Sequence, residues 1–82
     1  MNILEKIVRD LISEKRITEA RNLLSLFPEE FPHLELEVEY AARNWKAVKR
    51  LYENLPDELK EKYREYYEYA TNQLNIDYSK ET

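Results

Sequence analysis

Eighty-two residues, with 13 Lys and Arg against 17 Asp and Glu, and neither cysteine nor glycine, bound what this chain can be. One small domain is implied, with no disulfide or thiolate metal site to staple it, so its stability rests on a modest apolar core. Phosphate-cradling loops, nucleophile elbows and type I′ hairpins all place glycine at left-handed or close-approach positions, so none is available in its usual form.

Asn2 and Glu5 have capping-box spacing and open a first helix that runs to about residue 15. Its apolar set is Ile3, Leu4, Ile7, Val8, Leu11 and Ile12, about half of the helix circumference. A second helix is predicted over 17–27, with Ala20, Leu23, Leu24 and Phe27 inward, and Pro28 and Pro32 bracket the turn that follows. The third, to about residue 43, carries Leu34, Leu36, Val38, Tyr40 and Ala41. Glu35, Glu37 and Glu39 alternate with these and imitate a strand. The helical reading is preferred, because Tyr-Ala-Ala-Arg continues helically, Glu39 can pair with Arg43 at i,i+4, and no partner strand is near.

The fourth helix follows Asn44 as N-cap and stops at Pro56. Trp45, Val48, Leu51, Tyr52 and Leu55 fall on one side; Arg43, Lys46, Lys49 and Arg50 fall on the other. Trp45, the single tryptophan, is expected to anchor the core of both halves. A fifth helix over 57–74 buries Leu59, Tyr63, Tyr66, Tyr67, Ala70 and Leu74 and leaves Tyr69 as its most exposed aromatic. The domain is therefore placed at 1–74, with 75–82 a polar, frayed tail.

The second half repeats the first. Val8, Ile12, Ile17, Ala20, Leu23, Leu24, Phe27 and Pro28 map onto Leu36, Tyr40, Trp45, Val48, Leu51, Tyr52, Leu55 and Pro56 at one constant offset. Each second helix has a large residue (Ile17, Trp45), a smaller one three positions on (Ala20, Val48), a large one four later (Leu24, Tyr52) and a closing proline. Over residues 3–74 this resembles the tetratricopeptide-repeat class of helical-hairpin solenoids. That class has a period of ~34 residues, longer than the offset here. The resemblance implies stacked helical hairpins and the habit of binding other proteins; no peptide-clamp residue is carried over. The expected fold is all-α: five antiparallel helices, as two stacked hairpins plus a C-terminal capping helix.

Chemistry is sparse. His33, the only histidine, is read as a solvated turn residue that Glu29 and Glu30 could approach. Ser13, Ser25 and Ser79 have no activating motif around them. No residue is assigned a catalytic, metal-binding or cofactor role, and the chain is read as a non-enzyme. No run approaches the ~20 apolar residues of a membrane helix, and the N-terminal residues lack a signal-peptide core, which predicts a cytoplasmic protein without membrane contact. Abundant Glu, Lys, Ile and Tyr without Cys hints at a thermophilic source.

Two surfaces carry the functional expectations. Where the third helix has Glu35 and Glu39, the first has Ile7 and Leu11; with Ile3 they form an apolar stripe that the repeat does not require. An end helix has one neighbour fewer and should be the more polar of the two. The stripe, with Tyr69, is therefore the candidate partner-binding surface, for a second copy or another helical protein. The alternative is accessory nucleic-acid binding through Arg43, Lys46, Lys49 and Arg50, extended by Arg16 and Arg21. The net charge of −4 counts against it, and so do aromatics facing the other way.

Overall fold

The computed structural model describes residues 3–80, with side chains through Ile76, and all regular structure among them is helical. The helices are α1 (Ile3–Ser13), α2 (Ile17–Ser25), α3 (Pro32–Ala41), α4 (Trp45–Glu53), α5 (Asp57–Lys62) and α6 (Arg64–Lys80). There are thus six among the described residues, not five. The expected fifth helix is interrupted at Tyr63, where the backbone turns to φ −104° and ψ 14°, and it continues helically past residue 74 to Lys80. No proline or glycine marks the interruption; it falls where the Tyr63 ring is buried. No helix among the described residues is long and apolar enough to cross a membrane.

α3 is the centre of the molecule. It packs on α1 and α2 at one side and on α4 at the other, and α4 in turn packs on α6. Leu34 and Val38, one turn apart, join Val8, Ala20 and Leu24 in a first core cluster. Leu36 faces the opposite way and joins Val48, Leu55, Tyr63 and Ala70 in a second. At ~100° per residue, alternate positions of a helix lie ~200° apart. The strand-like alternation of apolar and acidic residues is therefore what a helix needs when both of its sides are buried.

Trp45 is only partly buried and packs on the second cluster alone, with Tyr40 and Tyr66. It does not anchor both halves. The fully enclosed positions are the smaller Leu36 and Val48. Phe27 is also more exposed than its inward assignment implied, because the chain has already left α2 and its ring meets Phe31 edge-on at 6.1 Å.

Both tight turns end in the left-handed region without glycine. Lys15 (φ 64°) and Arg43 (φ 60°) occupy the position after α1 and after α3. Arg16 N–H donates to Leu11 C=O at 2.8 Å and Lys15 N–H to Ile12 C=O at 3.0 Å. Asn44 N–H to Glu39 C=O at 2.9 Å and Arg43 N–H to Tyr40 C=O at 3.1 Å repeat the pattern. These paired 6→1 and 5→2 bonds are Schellman motifs, which satisfy the last carbonyls of each helix. Arg43 is thereby outside the helix that would pair it with Glu39. Asn44 precedes α4, but its side chain makes no cap bond; its Nδ2 donates to Glu39 Oε1 at 3.3 Å. The Asn2 half of the expected capping box lies outside the described residues.

Two predictions follow from this packing. Lys15→Gly and Arg43→Gly should each raise stability by up to ~1 kcal/mol, because a β-carbon is disfavoured at positive φ. Unchanged or lower melting temperatures in both would mean that the side chains compensate. Leu36→Ala should cost about 2–5 kcal/mol, much of the stability of so small a domain, and Trp45→Ala less than an enclosed aromatic would. Urea titrations rank the two, and a larger loss at Trp45 would contradict this core.

Candidate functional site

α3 has two edges as well as two buried sides, and the edges carry its acids. On one edge, His33 Nε2 donates to Glu5 Oε1 at 2.6 Å. One turn further, Arg9 grips Glu37 through two bonds of 3.1 and 3.0 Å, and the Tyr63 hydroxyl donates to the same carboxylate at 2.5 Å. The Glu37 side chain is 13% exposed, so this carboxylate is largely removed from water and relies on these donors. The Arg9 guanidinium is held protonated more firmly than usual, first by its bonds to Glu37. The Tyr63 hydroxyl is pushed well above the ordinary phenol range, first by burial and then by donation to Glu37. The His33 hydrogen bond holds the Glu5 carboxyl below its usual value.

His33 is therefore not a solvated turn residue. It stands in the first turn of α3 and partners Glu5 across the helix pair, a contact that Glu29 and Glu30 do not make. With Glu5 and Arg9 on α1, His33 and Glu37 on α3, and Tyr63 before α6, this edge is an interhelical polar seam. No group of three or more His, Asp or Glu positioned to hold a metal ion occurs among the described residues. Ser13 and Ser25 donate to Asp10 C=O and Asn22 C=O within their own helical ends.

On the other edge of α3, Glu39 accepts two bonds from Arg21, at 3.1 and 2.9 Å, instead of pairing with Arg43. Arg16 is taken up by Glu14 and Glu19. Neither arginine is then free to extend a basic face. Glu35, between them and α4, is pushed above the ordinary carboxylate range by burial, with Arg50 opposing and Glu29 and Glu39 adding to the rise.

The apolar stripe of the first helix divides. Leu11 is partly buried against the first core cluster and is ordinary core, so it is not a surface residue. Ile3 is 73% exposed and Ile7 43%. Leu26, at 71%, and Phe27 are exposed as well. α1 and α2 pack together across a short turn, so the start of α1 and the end of α2 lie at the same end of the hairpin. Ile3, Ile7, Leu26 and Phe27 are thus exposed apolar residues toward one end of that hairpin, and the exposed Lys6–Asp10 ion pair shares α1 with the first two. Sequence reasoning missed the α2 contribution, although Leu26 falls outside the inward set of its helix and is readable as exposed on that ground. Tyr69 is exposed but belongs to another region: its ring lies 5.3 Å from that of Trp45 and 5.8 Å from that of Tyr40.

The basic face divides too. Lys46, Lys49 and Arg50 line a cleft with Thr71, Leu74 and Asn75 of α6, while Arg43 is in the α3–α4 turn. No family model matches the chain, and comparison with curated proteins and with solved structures finds no similar protein.

The two edges make opposite predictions. Glu37→Ala should cost about 1–3 kcal/mol, because the buried Tyr63 hydroxyl loses its acceptor; Glu37→Gln, which keeps an acceptor, should cost less. Equal losses in chemical denaturation would show that charge, not hydrogen bonding, dominates there. For Glu35 the folded state binds its proton more tightly than the unfolded chain does. Stability therefore falls as pH rises above the ordinary value of 4.5, and the penalty is absent below it. Glu35→Gln should raise the melting temperature near pH 7 and lose that advantage near pH 3. The same gain at both pH values would contradict the assignment.

Proposed function

We propose that this protein is a non-enzymatic interaction module, an adaptor or small subunit built from tetratricopeptide-like helical hairpins, that self-associates through the N-terminal end of the stack. The architectural half of this reading is supported by contacts and turns that recur at the sequence offset. Glu5 bonds His33 and Arg9 bonds Glu37, each 28 positions apart. The two Schellman turns at Lys15 and Arg43 stand at the same offset, and Val8 and Ala20 are as fully enclosed as Leu36 and Val48.

The observation that carries the functional half is the apolar exposure of Ile3 and Ile7 on α1, with Leu26 and Phe27 exposed toward the same end of the hairpin. In a stack of hairpins a preceding repeat would pack along the outer side of the first helix, and a terminal hairpin ordinarily presents polar residues there. A two-fold pairing of α1 with α1 of a second copy covers the face on both molecules at once. At roughly 1.5–3 kcal/mol for each side chain fully buried, the gain is comparable with the ~4–15 kcal/mol that association costs. That is the regime of a concentration-dependent dimer, and a hetero-partner of similar apolar character would use the same face.

Sedimentation across the micromolar range tests this. The wild type should shift from monomer toward dimer with concentration, and Ile3→Glu/Ile7→Glu should remain folded and monomeric, since both side chains are exposed. A wild type that stays monomeric throughout would overturn self-association. Unfolding of the double variant would instead place these residues in the core.

A further inference from the structure

The cleft between α4 and α6 points to a ligand site unrelated to the N-terminal face. Lys46, Lys49 and Arg50 stand at i, i+3 and i+4 on α4, and Thr71, Leu74 and Asn75 repeat that spacing on α6 across a cleft of about 450 Å³. Glu53 and Asn54 extend the α4 wall by one turn. Three cations and one carboxylate thus converge on one concavity in a protein whose net charge is −4.

These cations are not held in ion pairs with the protein's own acids among the described residues. Lys6, Arg9, Arg16 and Arg21 all make ion pairs, whereas Lys46, Lys49 and Arg50 make none among the described residues. The acids of α3 that could have neutralised them are engaged elsewhere or reach only Arg50: Glu37 is held by Arg9, Glu39 by Arg21, and Glu35 acts on Arg50 alone through space. A further donor is also unspent. The Thr71 hydroxyl is buried and finds no hydrogen-bond partner. Thr71 is one of the residues that line the cleft.

We propose that the α4–α6 cleft binds a small molecule bearing a phosphate or diphosphate group. The anion is held by Lys46, Lys49 and Arg50, accepts from Thr71, and presents a neighbouring hydroxyl or amine to Glu53. A nucleic-acid backbone fits less well. Its phosphates need an extended basic track, yet Arg43 lies in a separate turn. No aromatic ring lines the cleft on which a base could stack, and Tyr52 and Tyr67 are stacked on each other at 4.4 Å. The volume is that of a small-ligand pocket.

The test is titration of the full chain with pyrophosphate and with inorganic phosphate at physiological salt, followed by amide and side-chain NMR shifts. Saturable shifts should centre on Lys46, Lys49, Arg50, Thr71 and Asn75, with pyrophosphate the tighter ligand. Lys46→Gln/Lys49→Gln should weaken it by about tenfold or more, and Thr71→Val by severalfold, with helical content unchanged in both. Lys60→Gln/Lys62→Gln on α5, with the same loss of charge, should leave the affinity as in the wild type. No saturable shift at millimolar pyrophosphate, or unchanged affinity in either cleft variant, would overturn the site. So would a single-stranded oligonucleotide that binds tighter than pyrophosphate through the same residues, which would make the cleft part of a nucleic-acid surface.

Discussion

Everything in this molecule depends on α3 being buried on two opposite sides. A helix at the surface of a small domain has one apolar stripe and a broad polar face. α3 instead sends Leu34 and Val38 into one core cluster and Leu36 into another. Only two narrow edges remain for its acidic residues, and each edge is pressed against neighbouring helices. Glu37 and Glu39 therefore cannot be simply solvated. Each takes a two-pronged arginine from another helix, Arg9 of α1 and Arg21 of α2. Such pairs add little to stability when exposed, but they satisfy carboxylates that burial would otherwise penalise and they fix the register of one helix on the next.

The same arrangement governs how charge is distributed over the surface. Arginines of the first hairpin are spent on acids of α3 and of the α1–α2 turn region. The basic residues of α4 lie beyond reach of those acids, apart from the action of Glu35 on Arg50. An acidic protein thus carries a locally positive cleft: Glu37 and Glu39 of α3 are engaged by Arg9 and Arg21, while Lys46, Lys49 and Arg50 of α4 line the cleft against α6.

A chain without glycine must still reverse direction between helices. Here Lys15, Arg43 and Glu29 adopt positive φ at a steric cost. The cost is tolerated because the Schellman bonds at Lys15 and Arg43 satisfy helix-terminal carbonyls that would otherwise be orphaned. Apolar exposure follows a comparable logic at the N-terminal end. Leu11 packs on the core cluster that α1 shares with α2 and α3, whereas Ile3 and Ile7 are left exposed among the described residues.

The sequence by itself determined the all-helical class, the approximate limits of the first four helices and the inward positions Val8, Ala20, Leu24, Val48 and Tyr63. These depend on ~3.6-residue periodicity, on prolines and on chain length, all of which act within a few residues. Tertiary structure alone decided that α3 is buried on both sides, that His33 partners Glu5, that Leu11 is core while Leu26 is surface, and that the last long helix breaks at Tyr63. It also separated Arg43 from Lys46, Lys49 and Arg50. Each of these outcomes is set by which helix stands opposite a given side chain. The pairings join residues 18 to 28 positions apart, and over such distances hydrophobic periodicity says that a residue is covered but not by what.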